Sequence, residues 1–293
     1  MQIVAAGCAS IVLLAAGCGY NGVSIARHES SASGAGRAHR QTTVHPHATT
    51  VIVVIMEHRD YNLIIGNAQA PFINGTLVPQ AALMTDSHAV THPSQPNYLA
   101  LFSGSTQGVN DGSCPHTFDT ANLGQEVLAA GKLFDGYSES MPKDGYMGCS
   151  SRPYVRKHNP WVDFANIPAS SNLIWYDLPG VQPSVSFIVP NLCNGMHDCS
   201  TMTGDNWLKA NLPAILNFDQ GSDGLLILTW DESAPDRSGT NHIATLLFGP
   251  MIQPGAYGQT IDHYAVLHTI EDIMGVACTA NACAAHELAG MWR

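Results

Sequence analysis

Fixed charge is scarce in this sequence, and positive charge is the scarcer kind. Of 293 residues only 12% are Asp, Glu, Lys or Arg, and the formal net charge is −11. Residues 1–40 hold three arginines and one glutamate, so residues 41–293 carry nine Lys plus Arg against twenty-two Asp plus Glu, a net of −13. Such a domain repels polyanions, which excludes nucleic acid as a partner. An anionic small substrate therefore needs a local positive centre such as a metal ion or histidines. Internal repeats are absent, none of the cysteine spacings resembles a zinc knuckle, and no Gly-x-Ser-x-Gly elbow surrounds Ser94, the serine singled out below. These absences argue against repeat architectures, thiolate zinc sites and an elbow-type serine esterase.

A membrane-spanning run is also missing. The apolar stretch 3–16 is too short to cross a bilayer comfortably and reads as the hydrophobic region of a secretory signal. Residues 1–18 end in Leu14-Ala15-Ala16-Gly17-Cys18, which resembles a bacterial lipoprotein signal and makes Cys18 a candidate lipid anchor, although Met1-Gln2-Ile3 has no basic residue. Residues 19–48 are rich in Ser, Ala, Gly, His and Arg without apolar periodicity, so they read as a flexible linker. The expected product is exported: secreted, periplasmic or held at the cell surface by lipid. Residues 49–293 form the expected catalytic domain, with 45% hydrophobic residues over the whole chain to supply a core. Setting aside Cys8 and Cys18, six cysteines remain, an even number in an exported chain that points to three disulfides. Short spacing favours Cys193 with Cys199 and Cys278 with Cys283, leaving Cys114 with Cys149.

What the chain does contain is a series of short apolar runs. Residues 51–56, VIVVIM, are a continuous run of the kind found in strands buried on both faces. Further strands are predicted at 82–85, 133–137, 184–189, 225–230 and 243–248, with helices between them at 123–130, 207–217 and 264–274. This alternation predicts an α/β fold, a mostly parallel central sheet with helices on both faces.

Chemistry gathers where these strands end, which is where α/β folds place their sites. Glu57-His58 follows the first run, Asp231-Glu232 follows 225–230, and His197-Asp198 follows 184–189. Residues 91–104, THPSQPNYLALFSG, place Ser94 just ahead of Pro96 and a short apolar helix. Proline suits a first helical turn, so Ser94 lies at the positive end, which favours an alkoxide or a phosphate oxygen. A plain N-cap is the bland role for such a serine. Glu57, Asp231 and Glu232 brought together would repel one another unless a divalent cation neutralised them. That ion would lower the pKa of the Ser94 hydroxyl and make it a nucleophile toward phosphorus. His158, in Arg156-Lys157-His158-Asn159-Pro160, and His197 are candidates to bind phosphate or protonate the leaving group. His92 and Asn97, flanking Ser94, are candidate substrate-binding residues. His242, in the Asn-His pair opening a strand, is a weaker candidate, with a packed residue as the alternative reading.

The ordered blocks VIVVIMEHRDYN, THPSQPNYLALFSG, KHNPW, FIVPNLCNGMHD, GDNW, ILTWDE and NHIATLLFGP resemble the bacterial phosphoesterase family of acid phosphatases and phosphatidylcholine-type phospholipases C, within the alkaline phosphatase-like superfamily. The resemblance covers roughly residues 50–276 and implies a three-layer sandwich. It also implies ligation of one divalent metal ion by Glu57, the residue after it, Ser94, Asp231 and Glu232. Where the family has Asn after the first Glu, this chain has His58, which offers a nitrogen in place of an amide oxygen. The first expectation is an exported, metal-dependent acid phosphatase acting on small phosphomonoesters through a phosphoseryl intermediate. Phospholipase C relatives tend to be longer than this chain, so a phospholipase C-type phosphodiesterase is the alternative. A metal- or phosphate-binding lipoprotein without turnover is another. A serine esterase using Ser94, His197 and Asp198 is disfavoured, on the expectation that adjacent His and Asp side chains do not readily bond in relay.

Overall fold

A computed structural model of the chain describes residues 48–176, 183–220, 223–234 and 239–293. The signal and linker expected over 1–18 and 19–48, Cys18 included, lie outside the described residues but for Ala48. The fold belongs to the compact unit Thr43–Arg293.

The first apolar run becomes β1 (Thr50–Met56), buried over its whole length. Because side chains alternate across a strand, Val51, Val53 and Ile55 join one core and Ile52, Val54 and Met56 the other. The remaining strands are β2 (Ala82–His88), β3 (Phe134–Glu139), a small hairpin β4 (Ser150–Ser151) and β5 (Tyr154–Val155), β6 (Asn172–Trp175), β7 (Val185–Val189), β8 (Gly224–Trp230), β9 (His242–Phe248) and β10 (Gly255–Asp262). Eight of them form one sheet in the order β10-β2-β9-β8-β1-β7-β3-β6. All its pairings are parallel except those of β9, which runs against β2 and β8. The mostly parallel sheet is thus as expected.

Among the described residues five α-helices cover it: α1 (Tyr61–Ile64), α2 (Ser94–Ser103), α3 (Leu123–Ala129), α4 (Thr201–Gln220) and α5 (His263–Met274). Residues of α2, α3 and α5 pack on the core of Val53, while α1 and α4 pack on the core of Ile52, giving three layers. Glycine has a steric reason at Gly104 and Gly136, among others. Gly104 ends α2 in the left-handed region, with φ 67°, and a Cβ there would stand 2.1 Å from the Thr279 carbonyl oxygen. Gly136 on β3 lies against Trp161, whose ring a Cβ would meet at 2.1 Å. All three disulfides are those expected: Cys114–Cys149, Cys193–Cys199 and Cys278–Cys283.

Two sheet strands were not expected. β10 is largely exposed and alternates little apolar surface, as an edge strand can, and β6 is only four residues long. The topology puts the carboxyl ends of β1, β2, β3, β7, β8 and β10 at one edge, joined there by the start of β9, since His88 pairs with His242. No helix among the described residues is long and apolar enough to cross a membrane.

Candidate active site

The cluster forms where β1, β8 and the loop after β7 end beside the start of α2. Ser94 opens α2, with Pro93 in the capping position, so its side chain makes no cap bond. The bland capping role is thereby set aside: the Ser94 hydroxyl instead donates to Glu232 Oε1 at 2.9 Å. Tyr98 lies one helical turn later, on the same face. Its hydroxyl donates to Glu57 Oε1, and its ring stacks on His158, with centroids 5.1 Å apart.

Glu57 is wholly buried, with His158 Nδ1 3.0 Å from its Oε1. Asp231 Oδ1 accepts from the backbone N–H of His58 at 2.8 Å and of Glu232 at 2.6 Å. The Asp231 backbone is fixed in turn, its N–H donating to the Met56 carbonyl and its own carbonyl lying 2.7 Å from His263 Nε2. Glu232 also meets His92 Nδ1 at 2.5 Å through Oε2 and His58 Nδ1 at 3.4 Å through Oε1. His58 holds a φ of 52°, uncommon for a residue with a Cβ, and persists there because both its backbone and its ring are engaged.

Burial governs the electrostatics. It pushes Glu57 up to about 7, against the neighbouring Asp231 carboxyl and the Tyr98 hydroxyl, which pull the other way. Asp231 is held well above the usual carboxylate range by burial and then by the charges of Glu57 and Glu232. For Glu232 burial is again the largest influence, but hydrogen bonds with His58, His92 and Ser94 outweigh it and hold the group below that range. His158 is lowered to about 3, by burial first and the Lys157 charge next, and His197 is lowered chiefly by burial. Left to themselves, these three carboxylates cannot all ionise.

The atoms left over define what would complete the cluster. Glu57 Oε2, Asp231 Oδ2 and His158 Nε2 are buried and unbonded. Glu57, His158 and His197 each offer a ligand atom, and these three atoms lie within 4.8 Å of one another. Buried, unpaired, electron-rich atoms beside destabilised carboxylates fit a divalent cation. All five residues expected as ligands reach this region. His158 and His197, expected only to handle phosphate or protons, are equally placed to supply nitrogen.

Other expectations change. Asn97, expected to bind substrate, has both ends of its amide engaged. It donates to the Thr91 and Pro93 carbonyls and accepts from the Val90 and Thr91 N–H groups at 2.7–3.1 Å. Its capacity is filled, so it shapes the loop carrying His92. His92 itself lines a cavity of about 680 Å³ together with His58, Thr91, Glu232 and Asn241. His242 is a packed residue, stacked between Tyr61 and His88. The expectation about adjacent His and Asp fails: His197 Nδ1 lies 2.7 Å from Asp198 Oδ1. What disfavours an esterase relay is that Ser94 is bonded to Glu232.

Sequence reasoning missed Tyr98, His263, Asn241 and Arg59. Asn241 braces two site loops through Thr91 O and Ser233 N, and Arg59 ties His58 O to Cys199 O. Only Tyr98 left a usable signal, its four-residue spacing from Ser94.

The site is thus an acidic cluster at the carboxyl edge of a mostly parallel sheet, with a serine at a helix start. The fold is similar to that of solved structures. A protein of the alkaline phosphatase superfamily from Vibrio parahaemolyticus superposes with a TM-score of 0.59 at 11% identity, covering 84% of this chain and 71% of that one. The C-terminal periplasmic domain of EcEptC from Escherichia coli, in complex with Zn, superposes with a TM-score of 0.52 at 9% identity, covering 80% and 84%. The chain belongs to the Phosphoesterase family, whose profile it matches over residues 67–277. It is 43% identical over 248 residues to phosphatidylinositol-3-phosphatase of Mycobacterium tuberculosis, covering 83% of this chain and 82% of that protein. The phosphate-repressible acid phosphatase of Penicillium chrysogenum is 30% identical over 227 residues, 68% of this chain and 53% of the fungal one, so this chain spans about half of that enzyme. The protein is accordingly a phosphoric ester hydrolase.

Proposed function

We propose that the protein is an exported, metal-dependent acid phosphatase that hydrolyses phosphomonoesters through a phosphoseryl intermediate at Ser94. The observation that carries this is the buried Ser94 hydroxyl bonded to Glu232 Oε1 at 2.9 Å, beside two carboxylates that each keep an unbonded oxygen. Three disulfides support export, because such bonds persist in oxidising compartments. In this reading Cys18 is the candidate lipid anchor, and a secreted or periplasmic product is the alternative.

A divalent ion held by Glu57, Asp231, Glu232 and Ser94, with His58 adjacent, would lower the pKa of the serine hydroxyl and neutralise the phosphoryl oxygens. The remaining work falls to the chain. The Ser94 proton passes to Glu232 Oε1, to which the hydroxyl already donates at 2.9 Å, as Oγ bonds to phosphorus and the ester P–O bond breaks. The start of α2 adds free backbone N–H groups toward phosphoryl oxygen. His158, lowered to about 3 by burial, is neutral at working pH and serves as a hydrogen-bonding or ligand group, not as an acid. His197, oriented by Asp198 and only half buried, is the group that protonates the leaving oxygen. Water then cleaves the phosphoseryl ester.

The name of the 43% identical relative favours a monoester borne on a lipid headgroup as one member of the substrate class. The decisive assay compares p-nitrophenyl phosphate with a phosphatidylcholine emulsion, with and without chelator. Acid-quenched enzyme should carry phosphate on the Ser94 peptide, and Ser94→Ala should lose roughly a thousandfold or more in kcat. Phosphocholine release from lipid without monoester hydrolysis would move the assignment to a phospholipase C. Phosphate binding without turnover by metal-loaded protein would move it to a binding lipoprotein.

A further inference from the structure

Residues 41–293 hold nine lysines and arginines, and nearly all the described ones are occupied or remote from the site. Arg59 donates to the His58 and Cys199 carbonyls, and Lys132 to that of Met274. Arg152 pairs with Asp198. Arg156 is buried, pairs with Asp163, and donates to the carbonyls of Met147, His116 and Val162. Lys143 and Lys209 are exposed, and Arg293 lines a cavity with Phe248 and Pro250 at the opposite edge of the sheet.

Lys157 is different. It is half buried, and among the described residues it forms no hydrogen bond or ion pair. Both neighbours in sequence, Arg156 and His158, are buried and bonded, so its backbone is held in place. The side chain runs past the exposed Gly112, where a Cβ would stand 3.5 Å from its Cδ and 3.8 Å from its Nζ. Its ammonium therefore lies beside exposed Gly112, while the next residue, His158, is buried against Glu57. From there its charge acts on Glu57, His158, His197 and Asp198. An unpaired cation next in sequence to a residue of the acidic site, in a stretch with a net charge of −13, is suited to meet an anion.

That anion is not the reacting phosphoryl group, which must reach Ser94 Oγ on the floor, where Ser94 and Glu57 are 2% and 0% exposed. We propose that Lys157 binds a second, non-reacting anionic group of the substrate, so that the site favours phosphomonoesters whose leaving group is itself an anion, such as a polyol bearing a phosphodiester. This rests on the phosphomonoesterase reading above.

The test uses the metal-loaded full chain and two substrates sharing one reacting ester: inositol 3-phosphate and glycerophosphoinositol 3-phosphate, which adds a phosphodiester anion. The quantity read is the ratio of their kcat/KM values. Lys157→Ala should lower the preference for the second substrate about tenfold, through KM, while Lys157→Arg retains most of it. Added salt should compress the ratio in the parent and not in Lys157→Ala. An unchanged ratio, or an equal fall on both substrates, overturns the proposal. Phosphatidylinositol 3-phosphate in phosphatidylcholine vesicles separates headgroup from membrane surface. Loss on both the soluble and the vesicle-borne headgroup supports the assignment, and loss confined to vesicles overturns it. Failure of the underlying reading would look different: parent enzyme without Ser94-dependent hydrolysis of p-nitrophenyl phosphate.

Discussion

Two buried glutamates in this molecule have nearly the same local description and opposite surroundings. Glu57 accepts from Tyr98 through Oε1, keeps Oε2 unbonded, and is pushed up to about 7 by burial. Glu271, on α5, accepts from the Thr279 N–H and hydroxyl at 3.0 and 2.6 Å through Oε1, keeps Oε2 unbonded, and is pushed up to about 8 by burial. Around Glu57, however, lie an unbonded Asp231 oxygen and an unbonded His158 nitrogen, whereas the one acid acting on Glu271 from a distance is Glu126. A lone buried acid meets its desolvation cost by staying protonated, and here it pins the segment of the Cys278–Cys283 disulfide to α5. A group of them cannot all do so, and the neighbouring orphaned atoms call for a cation. An unsatisfied atom therefore says little until its neighbours are counted.

The comparison predicts opposite outcomes for the same substitution. Glu57→Gln should lower kcat/KM for p-nitrophenyl phosphate at least ~100-fold, and Glu271→Gln should leave it within about twofold. Comparable losses in both would break the distinction. Divalent metal at a hundred times its Kd should raise the melting temperature of the parent and of Glu271→Gln by about 5–10 °C, and that of Glu57→Gln by much less. Thermal scans with and without chelator measure this. A smaller effect is expected at Tyr98→Phe, which removes the donor to Glu57 Oε1 and nothing from the cluster itself. A loss of about tenfold in kcat/KM, with the metal-induced stabilisation kept, would mark Tyr98 as a positioning residue.

The contrast was only partly legible in the sequence. Glu57, Asp231 and Glu232 could be found because each follows an unbroken apolar strand, and strand ends in a parallel sheet share an edge. Ser94 could be found because Pro96 marks the helix that starts with it. Residues that act through tertiary proximity left little trace. Tyr98 shows only through its four-residue spacing from Ser94, and His263 only as the residue after the Asp262 helix cap. β10 escaped because an exposed edge strand need not repeat apolar residues, and the direction of β9 is a matter of connection, not of composition. Asn97 misled for the opposite reason. A polar residue beside a site resembles a functional one until its hydrogen bonds are known.

The smallest effect on activity and the cleanest on stability belongs to Glu271. Its folded-state pKa of about 8 stands above the ordinary value of 4.5. Below about pH 4.5 the carboxyl is protonated in both folded and unfolded chains, and its contribution to stability is fully present. As pH rises toward 8 the unfolded chain releases the proton while the folded chain retains it, and that contribution is lost. Glu271→Gln cannot titrate, so its melting temperature should fall less than the parent's between pH 5 and pH 8. Metal-saturated protein is the right material for these scans, because Glu57 and Asp231 are raised in the same direction and bound cation removes their share. Parallel melting curves for parent and variant across that range would show that Glu271 ionises inside the fold, which would require a counter-charge and would make it the second member of the class that Glu57 defines.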